Sequence, residues 1–333
     1  MITVAGTLVA DLVVGPVGKW PGPGKSADID YIEIVPGGAV ANTGMALARL
    51  GVPVSACAAV GEDNLGAIIK DFVGSWATRN TIRVIPSRRT TASIVAISKD
   101  RDRSFLTAAG ACDQFHFTAE EVEREVSSGS RALHIGYAML LPGLDGEPLK
   151  NVMREAGRLG ALTSLDVTYY DNRPWPDLLK LMPGIDVFCP SLSEARLITG
   201  ESDPAKAARA LVQAGVRNFV AVTNGEHGAI VEVVGEGQDF IPARPVHVNN
   251  TTGAGDAFIA GVLAAWYRGL PWRSAARIGS LVASLAVTSR RRYDNLQTLD
   301  RLLEEFTLPD NSEPNPFSGQ QRPSLAPLSK SDR

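Results

Sequence analysis

From residue 118 onward the chain repeats one pattern: a short, wholly apolar run of strand length, then a segment of helix length, then the next run. The reading gives a helix over 118–127, a strand over 132–135, a helix over 146–159 and a strand over 162–166. A short helix over 177–181, a strand over 186–189, helices over 193–199 and 204–214, and strands over 218–222 and 229–234 continue it. Strands apolar on both faces need cover on both sides, and crossovers of helix length are what parallel neighbours require. The pattern therefore predicts an α/β fold, a doubly wound and mostly parallel sheet flanked by helices. In such a fold ligands bind outside the carboxyl ends of the strands. Asp166, Ser191, Glu194, Thr223 and Gly225 all fall just past such ends.

The first third is less regular. Residues 3–14 read as one buried strand interrupted by Gly6 and Asp11. A carboxylate in such a run is costly unless it is hydrogen-bonded or faces a ligand, so Asp11 is a candidate substrate contact or else a loop residue after a short strand. Residues 29–34 alternate polar and apolar with period two, which predicts an exposed strand. Pro36-Gly37-Gly38-Ala39-Val40-Ala41-Asn42-Thr43 then opens a helix that ends at Gly51. Backbone bared by Gly37 and Gly38, with the amide of Asn42, offers the mixed donors and acceptors that a polyol needs; a turn with a capping amide uses the same residues. A strand over 52–60, a loop over 61–66 and a helix over 67–77 follow. Strands over 91–98 and 103–107 surround the charged turn Lys99-Asp100-Arg101-Asp102 and read as a hairpin. Joined to 31–34, this hairpin forms a small β-sheet lid from about 12–35 and 90–108. Helices over 271–288 and 299–306 complete a domain over 1–307, and the Pro-, Ser- and charge-rich stretch over 308–333 reads as a disordered tail.

Chemistry concentrates at Asn250-Thr251-Thr252-Gly253-Ala254-Gly255-Asp256-Ala257-Phe258. The next eight residues, Ile259 to Trp266, are apolar on every face, which predicts a buried helix with the glycines at its start. First-turn amides lack intrahelical partners and carry the positive end of the dipole, and residues this small admit an anion to the backbone. Gly253, Ala254 and Gly255 thus form a candidate anion hole. Asp256 adds a carboxylate, which a reaction that removes a proton from an attacking hydroxyl requires. A capped, tightly packed helix start accounts for the same residues without chemistry.

Composition narrows the classes. A net charge of −3 speaks against a broad nucleic-acid surface, and no stretch approaches the ~18 uninterrupted apolar residues of a membrane span. The N-terminus lacks a basic region followed by a signal-length apolar core, so it reads as the first strand. Cys57, Cys112 and Cys189 are far apart without metal-ligand spacing, which suits a reducing cytoplasm; His116, His134, His227 and His247 show no metal spacing either.

Together, Gly37-Gly38-Ala39-Val40-Ala41-Asn42 and Thr251-Thr252-Gly253-Ala254-Gly255-Asp256 make the chain resemble the ribokinase-like, or PfkB, family of carbohydrate kinases over roughly residues 1–306. The resemblance implies an ATP-dependent phosphotransferase acting on an alcohol of a sugar, sugar acid or nucleoside. It implies Asp256 as base, Gly253, Ala254 and Gly255 as anion hole, and Asp11, Gly37, Gly38 and Asn42 as substrate contacts. It also implies Glu194 acting on Mg²⁺, a nucleotide side at Ser191, Thr223, Gly225, Gly228 and Ser280, and a homodimer through the lid. Three positions depart from the family: Ser191 stands where an Asn is usual, Thr168 where many members have Asn, and Asn250 where Asp is usual. That Asp helps build the cation site of monovalent-cation-activated members, so K⁺ dependence is not expected. The alternatives are a nucleoside kinase of the same family and a non-catalytic sugar or nucleotide sensor on the same fold; Asp256 separates kinase from sensor, because a binder needs no base beside its anion hole.

Overall fold

The computed structural model describes residues 1–98, 103–171, 173–289 and 293–305. The charged turn over 99–102 and the tail expected over 308–333 lie outside the described residues.

β1 (Ile2–Gly6) is buried along its whole length. The run over 3–14 is not one strand: it breaks after Gly6 and resumes as β2 (Val9–Val17) in a different sheet. A Cβ on Gly6 would stand 2.3 Å from the carbonyl oxygen of Gly136, so a larger residue would push the end of β1 off its neighbour. β3 (Tyr31–Gly37) pairs antiparallel with β2 and runs directly into α1 (Gly38–Arg49). β4 (Val54–Cys57) and β5 (Ala59–Gly61) split the 52–60 run at Ala58. α2 (Asn64–Gly74) begins ahead of its expected start because the Asp63 carboxylate caps it, accepting from the Gly66 amide at 2.8 Å. β6 (Arg79–Asn80) and β7 (Arg83–Ile85) are too short to leave a periodic signal, and β8 (Ala92–Ser98) and β9 (Arg103–Ala108) are the hairpin strands.

The alternating part follows as expected, with α3 (Ala119–Ser127), β10 (Ala132–Ala138), α4 (Glu147–Arg158) and β11 (Leu162–Val167). The short helix expected over 177–181 is a 3₁₀ run, Trp175–Gly184, because Pro176 and Pro183 withhold backbone donors. β12 (Val187–Phe188), α5 (Leu192–Thr199), α6 (Pro204–Gln213), β13 (Phe219–Thr223), β14 (Ala229–Val233) and β15 (Gly237–Ile241) come next. α7 (Ala254–Tyr267), α8 (Trp272–Thr288) and α9 (Leu299–Glu305) finish the described chain.

The main sheet has nine strands in the order β15-β14-β13-β12-β11-β10-β1-β4-β6, parallel except for the β14 and β15 edge. From β1 the chain first builds outward to β4 and later returns to β10 on the other side. This reversal is a topological switch point, and it opens a crevice beyond the carboxyl ends of β1 and β10. One apolar layer packs α1, α2, α7, α8 and α9 against one face; a second packs α3, α4, α5 and α6 against the other. The segment of α7 from Asp256 to Ala265 is buried throughout, as its uniform apolarity predicts. The small sheet, β3-β2-β8-β9, stands apart from this stack, and Asp11 belongs to it, opposite Val35 and Ser93. No helix of the described residues is long and apolar enough to cross a membrane.

Candidate active site

Two helix starts meet at the crevice. α1 is anchored to the end of β1 by Thr7: its hydroxyl accepts from the Ala39 amide at 3.2 Å and its carbonyl from the Val40 amide at 3.1 Å. Gly38 has φ 80°, and a Cβ there would lie 2.5 Å from the Thr7 carbonyl oxygen, so only glycine makes this junction without strain. Next to it, a Cβ on Gly37 would fall 2.1 Å from Oδ2 of Asp11. The missing side chain is what lets the Asp11 carboxylate lie over the mouth of α1.

α7 begins with Gly253 in the left-handed region, its carbonyl accepting from the Tyr293 hydroxyl at 3.1 Å. Asn250 folds the preceding loop by accepting from the Thr252 amide at 2.8 Å, a task its side-chain oxygen performs without a charge. The Ala254 amide donates to the Thr251 carbonyl at 3.2 Å and is engaged as folded. The Gly255 amide makes no hydrogen bond among the described residues, and a Cβ on Gly255 would meet nothing within 4 Å. Gly255 is exposed, and that first-turn donor is left without a partner among the described residues. Arg103, from the small sheet, donates to the Thr252 hydroxyl and so ties that sheet to the loop.

Asp256, in the first turn of α7, is 4% exposed. Its Oδ2 accepts from Asn42 Nδ2 at 2.9 Å and from the Tyr137 hydroxyl at 2.8 Å, and its Oδ1 accepts from the Thr43 hydroxyl at 3.1 Å. The two glycine-rich motifs, far apart in the chain, thus share one carboxylate. Tyr137 sits at the carboxyl end of β10 with φ 60°, and its phenol is held well above the ordinary tyrosine range by burial and then by the negative charges of Asp256 and Asp166. It stays protonated and can only donate to a carboxylate.

Two further acids share this electrostatic neighbourhood. Burial, then Asp256 and Glu194, push Asp166 at the end of β11 well above the usual carboxylate range, against the pull of a hydrogen bond from the Val167 backbone. Glu194 is also raised, chiefly by burial, against the pull of its bonds to Ser191. Among the described residues no three His, Cys, Asp or Glu side chains group closely enough to hold a metal directly.

Ser191 caps α5: its hydroxyl accepts from the Glu194 amide at 3.3 Å, and its own amide donates to Glu194 Oε2 at 2.8 Å. The shorter side chain at this position therefore fixes Glu194. Ser191 also bridges to Thr223, whose amide donates to Pro190 O at 3.0 Å. Beyond Thr223 the chain turns tightly, with Gly225 at φ 53° and Gly228 pressed against the Ile241 carbonyl. Ser280, on α8, donates to the adjoining Pro242 carbonyl at 3.0 Å. Gly228 and Ser280, remote in sequence, thus border the same short segment.

Thr7, Thr43, Tyr137, Arg103 and Tyr293 bond to the candidate site, and the sequence reading did not assign them. Thr43 adjoins Asn42 in the first motif and was within reach; Tyr137 lies in the last residues of β10 with no local mark.

A family model described as pfkB family carbohydrate kinase matches residues 1–299. The chain belongs to this family. Membership makes it a phosphotransferase of the class that acts on an alcohol group. It is 27% identical over 312 residues to a ribokinase of Haemophilus influenzae, covering 91% of this chain and 97% of that one. It is 28% identical over 279 residues to a 2-dehydro-3-deoxygluconokinase of Bacillus subtilis, covering 80% and 84% respectively. In architecture it is similar to the Arabidopsis thaliana ribokinase solved with ribose and ATP, with a TM-score of 0.78 at 22% identity over 91% of this chain and 97% of that chain. The fold is therefore common ground with solved kinases.

Proposed function

We propose that this chain transfers the γ-phosphate of ATP to an alcohol of a sugar or sugar acid, with Asp256 as the base. One observation carries the reading: a buried carboxylate in the first turn of α7 stands next to the open Gly255 amide and is bonded to Asn42 on α1. Phosphoryl transfer needs two oxygens aligned, a place for charge on the transferred group, and a destination for one proton. Asp11, Gly37, Gly38 and Asn42 meet the acceptor's hydroxyls. As the acceptor oxygen bonds to the γ-phosphorus, the bond to the bridging β,γ-oxygen breaks, ADP leaves, and the hydroxyl proton passes to Asp256. The amides of Gly253, Ala254 and Gly255 receive the developing charge with the helix dipole behind them, Ala254 exchanging its Thr251 partner for phosphate. The nucleotide lies along Ser191, Thr223, Gly225, Gly228 and Ser280.

The mutual repulsion of Asp166, Glu194 and Asp256 suits a divalent cation. Mg²⁺ keeps its waters, so Glu194 and Asp166 would hold it through them, and it would neutralise the nucleotide phosphates there. Ile32, Ile34, Ile94 and Leu106 leave an exposed apolar face on the small sheet, which we assign to a second copy of the chain. Cys57, Cys112 and Cys189 are free and buried, which agrees with a cytoplasmic enzyme.

The test is ADP release across a panel of sugars, sugar acids and nucleosides, repeated with Asp256→Asn. At least one sugar or sugar acid should stimulate release, and the variant should lose about 10²–10⁴-fold of that turnover while binding ATP within severalfold of wild type. Unchanged turnover in the variant overturns the base, and silence across the whole panel replaces the kinase with a sensor.

A further inference from the structure

The backbone around Tyr137 is unusual. Tyr137 at φ 60° and Met139 at φ 73° are both left-handed without being glycine, a conformation that costs free energy and persists only where its surroundings hold it. The holding groups are visible. Gly136 lies so close to α1 that a Cβ there would fall 2.1 Å from the Ala39 Cβ. On the other side, the Met139 and Leu141 amides both donate to the Asp145 carboxylate, at 2.8 and 2.9 Å. β10 also shifts register against β11 between Ile135 and Ala138. This strained, clamped turn delivers one group to the crevice, the Tyr137 phenol.

Building on the phosphotransfer reading above, we propose that Tyr137 is a positioning residue for the reaction: with Asn42 it holds Oδ2 of Asp256 and so fixes the carboxylate that takes the acceptor's proton. Oδ2 has two lone pairs and two donors, at 2.9 Å from Asn42 and 2.8 Å from Tyr137. Asn42 Nδ2 also lies 3.4 Å from the Tyr137 oxygen, so the three groups close a triangle that fixes the carboxylate plane. A proton arriving at Oδ2 would have to displace one of these donors. Oδ1 accepts from the Thr43 hydroxyl at 3.1 Å. Burial and the charges of Asp256 and Asp166 keep the phenol protonated, so it neither competes for that proton nor swings away as an anion.

The experiment compares wild type, Tyr137→Phe and Thr43→Val with the acceptor that gives the strongest ADP release. Tyr137→Phe keeps the ring and removes only the donor. It should lower kcat about ten- to a hundredfold while KM for ATP and for acceptor stay within about threefold, with the melting temperature close to wild type. Thr43→Val, which leaves both Oδ2 donors in place, should lower kcat less. An unchanged kcat in Tyr137→Phe, or a loss confined to KM, overturns the positioning role, and an equal or larger loss in Thr43→Val would place the orienting contact at Thr43 instead. A wild type without acceptor-dependent ADP release would instead remove the phosphotransfer reading on which this one stands.

Discussion

Asn42 Nδ2 donates to Asp256 Oδ2 at 2.9 Å, joining residues 214 positions apart through two helix starts that face one crevice. Both are almost wholly buried, at 3% and 4% exposure. A hydrogen bond to a charged group in such a place is worth about 1.5–3 kcal/mol, so the pair is a sensitive reporter of the site.

Asn42→Ala should cost about ten- to a hundredfold in kcat/KM, from the lost donor. Asn42→Asp should cost more, because it sets a second carboxylate against Asp256 in a neighbourhood that already holds Asp166 and Glu194. Steady-state kinetics on the two variants decides the matter: an Asp variant as active as the Ala variant would show that no charge is carried at Asp256.

Gly37 and Gly38 should fail in different ways. Gly37 has an ordinary extended φ of −127°, so Gly37→Ala keeps the backbone but drives a Cβ into the Asp11 carboxylate. The expected result is a rise of roughly tenfold or more in acceptor KM, with ATP KM and melting temperature little changed. Gly38→Ala instead forces a left-handed alanine against the Thr7 carbonyl and should destabilise the fold by at least about 1–2 kcal/mol in urea titration.

His134 predicts an acid limb in stability. It is fully buried, and burial pushes its pKa down from 6.5 to about 3. The unfolded chain therefore takes up a proton near pH 6.5 that the folded chain refuses until about pH 3. Stability is fully present above the unfolded value and falls as pH drops through this window, by up to about 1.4 kcal/mol per pH unit. His134→Asn can keep a hydrogen bond to Ser164 without titrating. Its unfolding midpoint in urea should fall less than that of wild type between pH 7 and pH 5, and parallel losses in the two proteins would refute the assignment.

The alternation of apolar strands and helices after residue 118 was legible because each element states its own period, and the helix starts at Thr118 and Ser191 carry their caps within four residues. The uniform apolarity after Asp256 likewise announced a buried helix. Where the reading failed, the cause was not local. The apolar run over 3–14 divides after Gly6, which must be glycine because Gly136 lies against it across the sheet. β6, β7 and β15 exist because neighbours offer them an edge.

The sequence by itself determined the layer architecture, the two glycine-rich helix starts and the identity of the acid between them, since periodicity and backbone freedom belong to short stretches of chain. Only the tertiary structure decided what surrounds that acid. Which side chains reach Asp256, that Ser191 restrains Glu194, and that Tyr137 enters the crevice all depend on distances between segments far apart in the chain. Such distances are set by the packing of β10, α1 and α7 against one another, and no local pattern of residues encodes them.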